Sequence, residues 1–92
     1  MRRNDMKIKN GFVKREVAGS HVVVSVDPAN GFNGMIKLNE TSNFLWDKLT
    51  LGATREELIA ALLGEYEVSE SDAAQGVDLF LADVKSAGCV EE

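Results

Sequence analysis

Between Gly34 and Thr41 the hydrophobic period of this chain changes, and that change limits what the chain can fold into. Upstream, apolar residues alternate and turn formers punctuate them, as in a small antiparallel sheet. Downstream, apolar residues recur at helical spacing almost to the end. Met35-Ile36-Lys37-Leu38 reads as a short strand that passes without a linker into a helix capped by Asn39, whose side chain can accept from a first-turn N–H. This is the last strand before the helices, so one of its edges has no later strand to pair with. An open edge is either an aggregation hazard or a place for another chain to add.

Upstream of the junction, residues 1–10 are polar and lack a period, and the expectation is a loose N-terminal tail, with a single domain over 11–92. Phe12 to Val17 forms a first strand, Ala18-Gly19-Ser20 a tight turn, and His21 to Val26 a second strand rich in valine. Asp27 to Gly34 is a loop holding the single proline and two Asn-Gly pairs, with Phe32 expected to fold back over the sheet edge. In the third strand Ile36 and Leu38 share one face and Met35 and Lys37 the other.

Downstream, a first helix spans about Glu40 to Thr50, with Leu45 and Leu49 one turn apart and Phe44 and Trp46 widening the apolar stripe. Gly52 suits the helix end. Thr54 and Glu57 form a capping box ahead of a second helix, where Leu58, Ile59, Leu62, Leu63 and Tyr66 mark the buried side. Ser69 or Ser71 caps a third helix over about Glu70 to Ala87. Its core arc is Ala73, Val77, Phe80, Leu81 and Val84, while Leu79 points away, near Asp72, Gln75, Asp83 and Ser86. The fold class is therefore α+β: a three-stranded antiparallel sheet followed by three helices.

Composition excludes several functions. The chain has 92 residues and a formal charge of −5, from 15 acidic and 10 basic side chains, a balance that repels phosphate backbones and anionic membranes. Basic residues gather early, at Arg2, Arg3, Lys7, Lys9, Lys14 and Arg15. No apolar run reaches the roughly 18 residues of a membrane span, and no apolar signal region follows the N-terminus, so a cytoplasmic location is expected. Cys89 and His21 are the sole cysteine and histidine, too few for a zinc site, and Cys89 reads as a small buried thiol. No base–nucleophile pair stands out among the carboxylates, so neither catalysis nor a cofactor is expected.

Three strands and three helices with a strand-to-helix junction at Leu38-Asn39 resemble a winged helix-turn-helix scaffold. Met35-Ile36-Lys37-Leu38-Asn39-Glu40-Thr41, Phe44-Leu45-Trp46, Thr54-Arg55-Glu56-Glu57-Leu58, Tyr66-Glu67-Val68, and then Val77, Phe80-Leu81, Val84 and Gly88 more specifically resemble the PqqD family. These are small peptide chaperones, also called RiPP recognition elements. The resemblance implies that the leader of a ribosomally made precursor peptide adds as a strand along Gly34, Met35, Ile36, Lys37 and Leu38. It would pack in a cleft against the third helix, for which Asp78, Leu79, Leu81, Ala82 and Lys85 are the candidates. It also implies a partner enzyme that modifies the peptide, typically a radical S-adenosylmethionine protein. Leu51-Gly52-Ala53 after the first helix departs from the compact Asp-Gly or Gly-Gly common in the family.

Two other readings compete. The same scaffold serves DNA-binding regulators, but the second helix offers Arg55 against three glutamates, and the third offers Lys85 against four acidic residues. A docking or dimerisation domain is the other alternative, since an open strand edge pairs with a second copy as readily as with a peptide.

Overall fold

The turn Ala18-Gly19 sets the register of the sheet. Both residues have positive φ, 51° and 82°, so the two-residue connection has the hand of a type I′ turn and matches the twist of the strands it joins. The chain is described by a computed structural model over residues 5–26 and 35–91. In chain order its elements are β1 (Lys7–Ile8), β2 (Phe12–Val17), β3 (Ser20–Ser25), β4 (Met35–Leu38), α1 (Glu40–Thr50), α2 (Arg55–Glu65), α3 (Glu70–Ser86) and β5 (Val90–Glu91). Strands β2, β3 and β4 form one antiparallel sheet in that order, and three helices follow it, so the fold is α+β as expected.

The helix boundaries follow from their caps. Asn39 Oδ1 accepts from the Ser42 N–H at 2.8 Å, and Ser69 Oγ accepts from the Asp72 N–H at 3.1 Å. At α2 the capping box is complete: Thr54 Oγ1 accepts from the Glu57 N–H, and Glu57 Oε1 accepts from the Thr54 N–H at 2.9 Å. Each such cap is worth about 1 kcal/mol to the helix it starts. Gly52 ends the passage after α1 with φ 90°, a conformation that costs a residue with a Cβ.

The core lies between one face of the sheet and the helices. Val23, Leu45, Leu49, Leu58, Val77 and Val84 are fully buried in it, with Trp46, Phe80 and Leu38 nearly so. Ile36 and Leu38 face this core while Met35 and Lys37 face away, in the expected alternation. Leu63 departs from expectation and is 38 % exposed, because Leu58 and Leu62 already carry the buried stripe of α2 and Leu63 falls at its margin.

The N-terminal segment also departs from expectation. From Asp5 onward it is not a loose tail: Met6 and Ile8 are buried in the core, and β1 pairs with β5 through Lys7↔Glu91 and Ile8↔Val90. Met6 exchanges backbone hydrogen bonds with Ala53 at 2.8 and 2.9 Å, and the Lys9 N–H donates to the Cys89 carbonyl at 2.8 Å. The physical reason is a partner at the far end of the chain, together with an alternation (Met6, Ile8 in; Lys7, Lys9 out) too short to register as a period. Cys89, beside this clasp, is fully buried, and burial pushes its thiol up to about 11, where it stays protonated. The Phe32 lid lies outside the described residues, as does Gly34.

Candidate functional site

Two features adjoin at the end of β4: an open strand edge and a groove. The edge follows from the register. A two-residue turn makes Val17–Ser20 a hydrogen-bonded pair, and in an antiparallel ladder bonded and non-bonded pairs alternate. Val22 and Val24 therefore bond to β2, and the Val26 N–H, donating to the Gly11 carbonyl at 2.7 Å, continues the same phase. His21 and Val23 turn their backbone groups the other way, toward their partners Leu38 and Ile36. Met35 and Lys37 are left with backbone N–H and C=O groups pointing outward, along an edge that no strand among the described residues covers.

The groove, with a volume of about 450 Å³, opens where β4 becomes α1. One wall is the start of α1 (Asn39, Thr41, Ser42) and another the end of α2 (Leu62, Tyr66, Val68). The third is a flank of α3, with Asp72, Ala73, Gly76, Leu79, Phe80 and Asp83. These α3 positions recur at three- and four-residue steps, so they form one continuous strip of the helix. Leu79 is 63 % exposed and Val68 42 %, an apolar rim of the kind that marks interaction sites. Tyr66 packs edge-on against Phe44, with ring centroids 5.6 Å apart, and Lys48 lies 5.1 Å from the centre of the Phe44 ring. Burial, and then the neighbouring Glu40 carboxylate, raise the Tyr66 hydroxyl above its ordinary pKa, so it remains a hydrogen-bond donor.

The candidate residues from the sequence divide accordingly. Met35, Ile36, Lys37 and Leu38 form the open strand, with Leu38 buried and Lys37 exposed. Of the α3 candidates, only Leu79 lines the groove. Leu81 is buried in the core. Asp78, Ala82 and Lys85 are exposed but lie outside the groove strip. Asp78 is committed to Arg55 of α2, which donates to both its oxygens at 2.7 and 3.0 Å; that hydrogen bonding holds the Asp78 carboxyl below its usual range and raises Arg55.

Asp72, Gly76 and Asp83 did not emerge as site residues from the sequence, although Asp72 and Asp83 share the side of α3 with Leu79. A pointer was available in the helical phase: stepping back three and seven residues from the outward Leu79 gives Gly76 and Asp72, and stepping forward four gives Asp83.

The described residues thus combine a three-stranded sheet with one open edge, three helices, and a groove that begins where β4 ends. The chain belongs to the PqqD family: the model for coenzyme PQQ synthesis protein D matches residues 20–90. Two solved structures share the fold. One is TbiB1 in complex with the TbiA(beta) leader peptide, with a TM-score of 0.74, 20 % identity, and 92 % of this chain and 94 % of that one covered. The other is lasso peptide synthetase B1 complexed with the leader peptide, with a TM-score of 0.73, 17 % identity, and 95 % of this chain and 98 % of that one covered. No curated protein matches the sequence.

Proposed function

We propose that this chain is a leader-peptide-binding chaperone. It captures an extended segment of a ribosomally made precursor by strand addition to β4 and presents it to a peptide-modifying enzyme. Family resemblance favours a radical S-adenosylmethionine protein as that enzyme. The observation that carries the reading is the outward pair of backbone groups at Met35 and Lys37, beside a groove lined by α3. Backbone hydrogen bonds along such an edge supply affinity that is independent of sequence, and a neighbouring groove selects side chains. Both solved neighbours hold leader peptides, which supports the same role here. Within the chain we assign binding to Met35 through Leu38 and to Leu79. Asp78, Ala82 and Lys85 are left to the outer surface. The role asks no chemistry of the chain itself, and a cytoplasmic setting alongside ribosomal synthesis fits it.

Lys37→Pro tests this directly. Proline removes one outward N–H together with the exposed Lys37 charge, for which Lys37→Ala is the control. The expected variant keeps its circular dichroism spectrum and loses about 1–3 kcal/mol of affinity for the co-encoded precursor peptide in a titration. Sedimentation in parallel separates peptide addition from edge pairing of two copies, which uses the same backbone groups. Unchanged peptide affinity in a folded Lys37→Pro variant would remove strand addition at β4 from the account.

A further inference from the structure

We propose that the groove selects a leader strand that places one bulky apolar side chain over Gly76 and carries a lysine or arginine two residues before or after it. This deepens the leader-binding reading and rests on it.

The space comes from Gly76. A glycine in mid-helix costs about 1 kcal/mol relative to alanine. A Cβ added at this position would meet nothing within 4 Å, so close packing inside the protein does not require the glycine. What its absent side chain leaves is room above the floor formed by Ala73 and Phe80, under the exposed rim of Leu79. A peptide side chain has a place there that the chain itself leaves vacant.

The charge comes from Asp72 and Asp83, four residues before and seven after Gly76 on the same strip. Both are exposed, and neither takes part in an ion pair among the described residues, whereas Asp78 and Asp47 are paired with Arg55 and Lys14. No cationic side chain among the described residues lines the groove, and the chain as a whole carries −5, so the local field favours a cation and opposes an acidic peptide.

The spacing agrees. At 1.5 Å per residue the two carboxylates stand about 6 Å and about 10 Å along the helix from Gly76. Side chains on one face of a strand repeat about every 7 Å. With the strand seated along α3 and its apolar residue over Gly76, the next same-face side chain on either side arrives within reach of Asp72 or Asp83. The long, flexible stems of lysine and arginine close the remaining gap.

The test selects short random peptides, displayed on phage, against the full chain, the double variant Asp72→Asn/Asp83→Asn, Gly76→Leu and Lys37→Pro. Melting curves serve as the folding control. The native chain is expected to enrich peptides with a bulky apolar residue and a lysine or arginine two positions away. The double variant should keep the apolar preference and lose the basic one, and Gly76→Leu should lose the apolar one. Synthetic versions of the enriched peptides should bind about two- to fivefold more weakly for each carboxylate removed, with the difference fading at high salt.

Peptides that need the β4 edge, and so fail on Lys37→Pro, but show no basic enrichment overturn this inference and leave leader binding standing. Peptides that bind native chain and Lys37→Pro alike, or no enrichment at all, overturn both.

Discussion

The two flanks of α3 are built from the same kinds of residues and end in opposite states. On the flank facing α2, Arg55 reaches across to Asp78 with two hydrogen bonds, and the acidic side chain is satisfied within the chain. On the flank facing α1, Asp72 and Asp83 stand without an ion-pair partner among the described residues, Leu79 is largely exposed, and Gly76 leaves a gap between them. The paired flank also borders a second groove, lined by Ile59, Leu63, Glu70 and Ala74 among others, but none of its lining residues comes from β4 or α1. The other flank has both apolar area and uncompensated charge, next to a strand edge with outward backbone groups. The two flanks differ in pairing and in placement rather than in composition, and the one nearer the end of β4 is the candidate site.

The largest effect should come from the residue that joins core and groove. Phe80 is 3 % exposed yet also lines the groove, so Phe80→Ala removes a core anchor at about 3–5 kcal/mol. That is comparable with the whole stability of a domain this small, and chemical denaturation should find the variant largely unfolded. A cooperative melt close to that of the native chain would mean that the two flanks do not share one core beneath them.

A smaller effect, of opposite sign, separates structure from function at Gly76. Gly76→Ala should raise stability by about 0.5–1 kcal/mol, since alanine is the better helix former and its methyl meets open space. A destabilised Gly76→Ala would show that the groove is closed in solution.

The smallest effect belongs to the paired flank. Hydrogen bonding to Arg55 lowers the Asp78 pKa, so its contribution to stability is present above the ordinary carboxylate pKa and is lost as pH falls through the depressed folded-state value. Asp78→Asn should therefore change peptide affinity little at neutral pH. It should also flatten the fall of melting temperature with acid below about pH 4. Weakened peptide binding in this variant would reverse the assignment of the two flanks.

What the sequence disclosed follows the range of the interactions. Caps, the hairpin and the alternation of Met35 to Leu38 are local, and Thr54 with Glu57, or Ala18-Gly19, fixes them within a few residues. The β1–β5 clasp was hidden because its two-residue strands meet from opposite ends of the chain, too short to show a period. The open edge was legible, since no strand follows β4 before the helices. The groove flank of α3 was not. The apolar arc of a helix identifies its core side, but which neighbour stands on either side of that arc is set by how α1 and α2 pack. Leu79 lines the groove, whereas Asp78, Ala82 and Lys85 stand outside it on the same helix.

Amide hydrogen exchange followed by NMR reads the proposed addition of a peptide to the free edge of β4 residue by residue. In the free chain the Ile36 and Leu38 N–H groups face β3 and should exchange slowly, while those of Met35 and Lys37 face outward and should exchange fast. On saturation with the co-encoded precursor peptide, protection should rise selectively at Met35 and Lys37, with shifts along the Asp72–Asp83 strip of α3. Protection that appears elsewhere while Met35 and Lys37 continue to exchange freely would contradict strand addition at β4.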